Sequence, residues 1–370
     1  MLNDEKYMRM ALSLARKGCG LAAPNPMVGA VIVKEGRVIG RGYHQKYGGP
    51  HAEQNALSSC TEPPQGAVMY VTLEPCCHSG KQPPCVKAIL RAGISRVVVG
   101  SADPNPLVGG KGIRILREHG VSVTEDILRE ECAKLNEVFF HYIRTEHPFV
   151  VMKYAMTMDG KIAAVTGESK WITGEAARHH VQKLRHRYTA IMAGVGTVIS
   201  DDPLLTCRID GGRNPIRILC DGSLRIPTGS QVISTAAEVR TLIATCVTEE
   251  SRLAPYRKAG CEILPVERDS NGHLSLPALM QALGQREIDS ILLEGGAALQ
   301  GAMLDAGLVH RVQCYLAPCL FGGKDAPSPV GGKGVALPTQ ALRLQHRRFS
   351  SFGEDLLIEG EVSSDVHRDH

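Results

Sequence analysis

Between His51 and Cys85 the chain gathers residues that could hold a metal. "HAEQNALSSC" starts at His51 and "LEPCCHSGKQPPC" follows, with Pro75, Pro83 and Pro84 stiffening the backbone beside the cysteines. A zinc ion that activates water needs three protein ligands and one open position, and His51, Cys76 and Cys85 supply that set. Glu53 then finds a role. Two residues apart on a helix, His51 and Glu53 point about 200° apart, so they cannot both face one ion from mid-helix. At a helix end one can ligate while the other reaches the bound water, which suits a general acid/base that is not itself a ligand. Cys85 follows Pro84 at the start of a predicted helix, where unsatisfied N–H groups favour a thiolate. The chemistry this arrangement supports is hydrolytic deamination: the metal lowers the pKa of its water toward about 7, hydroxide attacks an amidine-like carbon, and Glu53 carries the proton to the departing amine. Spacing alone leaves two other arrangements open, Cys77 ligating in place of Cys76, or a closed structural site with His78 as fourth ligand.

The second half carries different signals. "ILLEGGAALQGAML" reads as a buried strand running through Gly295 and Gly296 into a helix, a geometry that presents backbone N–H groups to a phosphate. Alone this is weak, because the full G-x-G-x-x-G fingerprint is absent. "MAGVGTVISDDPLLTCR" adds a second glycine turn after a strand, then two carboxylates and an arginine. Lys153 lies inside an apolar strand, which argues against an ordinary surface lysine. For Trp171, the single tryptophan, core packing is the competing reading.

The elements that must position these residues fall into two series. The first has an opening helix with apolar residues at Met8, Ala11, Leu12 and Ala15 and a stop at Gly18, then a strand pair turning at Glu35 and Gly36. It continues with helix "HAEQNAL", strand "AVMYVTLE", helix "PPCVKAILRAG" and strand "RVVVG", an α/β sandwich pattern. A new strand begins after Pro148, and the second series runs helix "GEAARHHVQKLRHR", strands "AIMAGVGTVI", "PIRILCD", "RTLIATC" and "SILLEGG", helix "ALQGAMLDAG" and strand "RVQCYLAP". The domains are expected at 1–145 and 146–363, followed by the polar tail "SSDVHRDH", whose two histidines read as an incidental surface pair.

Composition narrows the function classes. Forty-two basic against 38 acidic side chains, interspersed, give a formal charge of +4. Such a dilute charge, with few aromatics and no basic run, speaks against a nucleic-acid partner, while a small phosphorylated ligand remains compatible. No apolar run nears the roughly 20 residues that span a bilayer, and the amino terminus reads as a folded helix, not a signal peptide, so no membrane partner is expected. Twelve cysteines point to thiols and metal ligands in a reducing cytoplasm, with most of Cys19, Cys60, Cys132, Cys220, Cys246 and Cys314 expected to be buried and inert.

The His51–Glu53 and Cys76–Cys85 motifs resemble those of the zinc-dependent cytidine and deoxycytidylate deaminases. The long spacing between the two cysteines, within "TLEPCCHSGKQPPC", is similar to one branch, the deaminase domain of the bacterial RibD family of riboflavin biosynthesis. "APNPMVGAVIV" and "ADPNPLVGGKG" resemble further landmarks of that domain, whereas Cys77 stands where a serine is common. "KYAMTMDGKIA", "GESKWITGEAAR" and the two glycine turns resemble the family's reductase domain. The resemblance implies a cytidine deaminase-like α/β/α sandwich followed by a dihydrofolate reductase-like α/β domain, with zinc and NADPH as cofactors. It implies two reactions: deamination of 2,5-diamino-6-ribosylamino-4(3H)-pyrimidinone 5′-phosphate, then reduction of the ribosyl to a ribityl chain. A nucleoside or nucleotide deaminase with an inactive appended domain is the alternative.

By resemblance, Asn25, His44, His78, Lys81 and Asn105 contact the deaminase substrate, and Ser169, Arg185, Leu205, Arg208 and Glu294 the reductase substrate. Cofactor contacts fall on Ala155, Trp171, Thr197 and Asp201, on Gly222 and Ser223, and on the run Gly296, Ala297, Ala298, Leu299, Gln300, Gly301 and Ala302. Lys153 and Glu294 are the ionisable pair placed closest to the reacting sugar. A homo-oligomer, dimer or tetramer, built through the reductase half is also implied. No motif reads a cofactor 2′-phosphate.

Overall fold

The computed structural model describes residues 2–78, 82–105 and 108–363. Lys81 and the histidines of the tail lie outside the described residues. The chain forms two compact units, Met1–Glu146 and His147–His370.

In the first unit the chain order is α1 (Leu2–Ala15), β1 (Gly29–Lys34), β2 (Arg37–Tyr43), α2 (Ala52–Ser58), β3 (Val68–Leu73), α3 (Cys85–Arg91), β4 (Arg96–Ser101), α4 (Lys111–Glu118), β5 (Ser122–Thr124), α5 (Arg129–Leu135) and α6 (Glu137–Thr145). The sheet order is β2-β1-β3-β4-β5. β1 pairs antiparallel with both β2 and β3, and the remaining pairs are parallel. Glu35 and Gly36 both take positive φ, 49° and 77°, the conformation that a tight hairpin with right-handed twist requires. Alternate residues of each strand feed two cores. Ala30, Ile32, Met69, Val71, Val97 and Val99 meet the helices after β2, β3 and β4 on one face. Val31, Val33, Tyr70 and Val98 meet Met8, Ala11, Leu12 and Cys132 on the other. The predicted stripe of α1 is therefore the buried stripe, and the unit is an α/β/α sandwich.

The second unit contains β6 (Phe149–Thr157), α7 (Glu175–Arg187), β7 (Ala190–Gly194), α8 (Val195–Asp201), β8 (Ile216–Cys220), α9 (Gln231–Ser234), β9 (Thr241–Thr245), α10 (Glu250–Lys258), β10 (Glu262–Pro265), α11 (Leu276–Gly284), β11 (Ser290–Leu293), α12 (Ala297–Asp305), β12 (Arg311–Ala317), β13 (Leu344–Phe352) and β14 (Asp355–Val362). The sheet order is β10-β9-β8-β7-β11-β6-β12-β14-β13, parallel from β10 to β12 and antiparallel in the last two pairs. Parallel strands buried on both faces read as continuous apolar runs, which is why "SILLEGG" and "RTLIATC" show no alternation. β11 inserts between β7 and β6, so the chain leaves the sheet centre in both directions, and the crevice at the carboxyl ends there is where such folds bind ligands.

Two expectations need correction. "AIMAGVGTVI" is not one strand: β7 ends at Gly194, and Val195–Asp201 is helical. Val198 packs into the same core from the helix as Ile191 does from the strand, so an apolar run could not separate the two states. Among the six cysteines expected to be buried, Cys132 and Cys314 are, whereas Cys19, Cys60, Cys220 and Cys246 are partly exposed.

Candidate active sites

His51 is the residue before α2, in extended backbone (φ −74°, ψ 168°), and Glu53 lies in the first turn. This puts His51 and Glu53 on one side of the helix end, a placement that mid-helix geometry forbids. Cys76 sits in the loop after β3, and Cys85 opens α3. His51 Nδ1 is 3.5 Å from Cys76 Sγ and 3.4 Å from Cys85 Sγ, and the three donor atoms lie within 4.8 Å of one another. An N–S edge of a tetrahedron with zinc–nitrogen near 2.0 Å and zinc–sulfur near 2.3 Å is about 3.5 Å, so the donor set fits zinc. Neither Cys77 nor His78 belongs to this group: Cys77 packs toward the core and His78 is exposed. The two rival arrangements are thereby set aside among the described residues.

The two thiols share a hydrogen bond that moves their pKa values in opposite directions. Cys76 accepts from the Cys85 side chain and backbone N–H and from His51, and is held at about 4. Cys85 is pushed far up by that same hydrogen bond and by its burial. Bound metal would deprotonate both thiols. Glu53 is 3% exposed, and burial, aided by the nearby Cys76, raises it to about 7, the range suited to a group that must both take and give a proton.

A cavity of about 230 Å³ opens beside this cluster, lined by Asn25, His44, His51, Glu53, Cys76, His78 and Asn105 among others. His44 donates from Nδ1 to the Pro50 carbonyl (3.1 Å) and accepts at Nε2 from Asn25 (3.1 Å), with burial lowering its pKa. Two acids that the sequence reading passed over also line it. Glu74 accepts backbone N–H bonds from Gly110 and Gly112, both at 3.0 Å, fixing the start of α4 behind the cysteine loop. Asp103 is pushed up to about 6 by burial. Both stood inside quoted motifs, but a carboxylate aimed at another segment's backbone leaves no periodic signal.

In the second unit Arg185 of α7 grips Glu294, just after β11, with two bonds of 3.0 Å, and Lys153 Nζ of β6 lies 3.7 Å from the same carboxylate. Burial alone would raise Glu294, but the two cations overcome it and hold it at about 2. Burial lowers Lys153 against the pull of Glu294. Tyr315, which no motif flagged, faces Lys153 and shares a 2.6 Å hydrogen bond with His180.

This triad borders a cavity of about 1490 Å³ at the carboxyl ends of the central strands. Ala155, Ser169, Trp171, Thr197, Asp201, Leu205, Arg208, Gly222 and Gly296 line it, as do Ala297, Ala298, Leu299, Gln300 and Ala302. Trp171 is 64% exposed and is stacked by Arg178, so the core-packing reading fails. Ser223 and Gly301 do not line the cavity. Ser223 is exposed and its carbonyl accepts from Arg252, while Gly301 lies against the Gly331 backbone, where a Cβ would collide. The two glycine turns approach closely, since a Cβ on Gly296 would come within 3.2 Å of Thr197 Oγ1, and Gln300 Oε1 is buried without a protein partner. A tight backbone cradle with an orphaned acceptor fits a long polar ligand such as a dinucleotide.

The fold and sites thus define a zinc-type pyrimidine deaminase joined to a dinucleotide-binding reductase. Comparison with known proteins agrees. Residues 1–101 match the cytidine and deoxycytidylate deaminase zinc-binding region, and residues 148–358 match the RibD C-terminal domain. The riboflavin biosynthesis protein RibD of Actinobacillus pleuropneumoniae is 50% identical over 98% of this chain and 96% of its own, and that of Escherichia coli strain K12 is 41% identical over 96% and 99%. A solved Acinetobacter baumannii RibD superposes with a TM-score of 0.88 at 35% identity over 98% of this chain and 99% of its own. A Thermotoga maritima structure described as a diaminohydroxyphosphoribosylaminopyrimidine deaminase/5-amino-6-(5-phosphoribosylamino)uracil reductase gives 0.86 at 38% identity, with 98% and 99% coverage. The chain belongs to the RibD family of riboflavin biosynthesis proteins, enzymes with a deaminase and a reductase domain.

Proposed function

We propose that the first unit removes the ring 2-amino group of 2,5-diamino-6-ribosylamino-4(3H)-pyrimidinone 5′-phosphate as ammonia, and that the second reduces the ribosyl group of the product to ribityl with NADPH. The observation that carries this reading is a pair of complete buried constellations, His51–Cys76–Cys85 with Glu53 in one unit and Lys153–Arg185–Glu294 in the other. An intact ionic triad beside a dinucleotide-sized cavity disfavours the alternative of a deaminase with an inactive appendage.

His51, Cys76 and Cys85 would hold zinc, which would supply a water of lowered pKa. Glu53 takes up the proton of the attacking water and returns it to the leaving amine. Asn25, His44, His78, Lys81 and Asn105 orient the pyrimidine and its ribose phosphate. In the second unit NADPH supplies a hydride when bound. Thr197, Asp201, the Gly296–Gln300 run and Ala302 hold the cofactor, while Ser169, Leu205 and Arg208 position the sugar phosphate. Lys153 is placed to give a proton to the reduced sugar, and Arg185 keeps Glu294 ionised so that Lys153 stays anchored. Assembly as a homo-oligomer through the reductase unit, in the cytoplasm, completes the reading; among the described residues no helix is long and apolar enough to cross a membrane.

The test supplies the deaminated intermediate directly. NADPH oxidation at 340 nm should proceed with zinc stripped from the protein, whereas ammonia release from the diamino substrate should stop and return with zinc. Ammonia release without any NADPH oxidation would favour the deaminase-only alternative.

A further inference from the structure

The large cavity of the second unit has chemically distinct ends. The ionic triad Lys153–Arg185–Glu294 marks the reacting end, and the close approach of Gly296 to Thr197 marks a backbone cradle. Beyond these the cavity runs to the end of β8 and the turn that follows it, where Cys220, Leu274, Leu276 and Pro277 offer an apolar slot suited to a planar base. In a parallel sheet that binds dinucleotides, the loop after the strand next to the glycine turn sees the adenosine ribose, with an acid there reading the 2′-hydroxyl and an arginine accommodating a 2′-phosphate.

This turn contains both residue types, and their orientation decides between them. Asp221 is fully buried and does not line the cavity; its Oδ2 accepts the backbone N–H groups of Arg225 (2.5 Å) and Ile226 (2.7 Å), and its Oδ1 is buried without a partner among the described residues, so the carboxylate is turned inward, away from a ligand, to fix the loop. Arg225 lines the cavity with its side chain exposed, and no carboxylate among the described residues pairs with its guanidinium. Asp269, one of the acids that line the cavity, is engaged by the backbone N–H groups of Asn271 and His273. Arg252 donates to the Ser223 carbonyl in the same turn, adding a second cation behind Arg225.

We infer that Arg225 binds the 2′-phosphate of the reductase cofactor and thereby selects NADPH over NADH. The inference rests on the reductase reading above and names a residue outside the contacts that the family resemblance supplied. A guanidinium–phosphate pair is charge-assisted and bidentate, so its loss should cost roughly tenfold or more in affinity, confined to ligands that carry the 2′-phosphate.

Equilibrium binding tests this without turnover. Adenosine 2′,5′-bisphosphate and 5′-AMP are titrated calorimetrically into the full-length protein and its Arg225→Gln variant, and NADPH and NADH are followed by fluorescence of Trp171, the single tryptophan, which lines the same cavity. Arg225→Gln should weaken the bisphosphate and NADPH roughly tenfold or more and leave 5′-AMP and NADH unchanged, with Arg225→Lys intermediate. Equal weakening of both members of each pair, or no change, overturns the assignment. Wild-type protein that binds NADH as tightly as NADPH overturns the selectivity while leaving the reductase reading in place. Wild-type protein that binds neither dinucleotide removes both. An unchanged melting transition of the second unit in each variant certifies its fold.

Discussion

The two sites solve the problem of placing charge in a protein interior in different ways. In the deaminase unit the donors come from one stretch of chain, His51 to Cys85, and their charges are to be neutralised by a metal. In the reductase unit the charges neutralise one another: a carboxylate after β11 meets cations from β6 and α7, and all three side chains are at most 14% exposed. A metal site is held by short-range covalent-like bonds and tolerates a small cavity. A buried ion triad survives only where three separate elements converge, and removing one member leaves an uncompensated charge. The first therefore depends on an exchangeable ion, and the second on the packing of the whole sheet.

The largest test of this contrast exchanges one residue in each site. Glu53→Ala should lower ammonia release by about 10²–10⁴-fold and leave NADPH oxidation and stability nearly unchanged. Glu294→Ala should abolish NADPH oxidation, spare ammonia release, and destabilise the second unit by about 3–5 kcal/mol, because Lys153 and Arg185 lose their counter-ion. Paired activity assays with denaturant melts read both. If either variant, properly folded, silenced both activities, the independence of the sites would be lost.

Acid separates the sites next. Glu294 is held at about 2, below its ordinary 4.5, so the stability it lends is fully present above 4.5 and is lost progressively as pH falls from there through about 2. The zinc ligands bind metal only when deprotonated, and acid competes with zinc well above that range. Between pH 7 and pH 4 zinc should therefore leave while NADP⁺ binding, followed through Trp171, persists. Joint loss of zinc and NADP⁺ binding over one pH interval would mean the triad is less protected than its geometry indicates.

The smallest effect probes what supports the metal loop from behind. Gly112, at the start of α4, abuts the carbonyl of Pro75, next to Cys76, and a Cβ there would collide with it. Gly112→Ala should cost about 1–3 kcal/mol and reduce zinc retention, leaving the reductase untouched. Zinc stoichiometry and melting temperature equal to wild type would show that the cysteine loop is held by its prolines alone.

The metal cluster was legible in the sequence because its ligands are near in chain order and their spacing reflects a helix end and a proline-fixed loop. Its neighbours Glu74 and Asp103 were not singled out, since each acts on backbone or space supplied by α4 and its preceding loop. The elements quoted for both units were readable from apolar periodicity, except at "AIMAGVGTVI", where one core accepts both a strand and a helix, while α4, β5, α5 and α6 of the first unit and α9, α10, β10, α11, β13 and β14 of the second went unread. Family resemblance, not periodicity, pointed to the reductase residues, and two of those, Ser223 and Gly301, lie off the cavity that the others line.

By itself the sequence narrowed the metal donors to His51, Cys76, Cys85 and a few of their neighbours, and it determined the two-part organisation and the amphipathic faces, all of which are encoded within short windows by residue type and period. Only the tertiary structure decided that Glu294 would be ionised, that Asp221 would turn inward while Arg225 faced the cavity, and that Trp171 would stand at its rim. Those outcomes depend on which distant elements meet, and electrostatic energy and burial are properties of that meeting, not of any one segment.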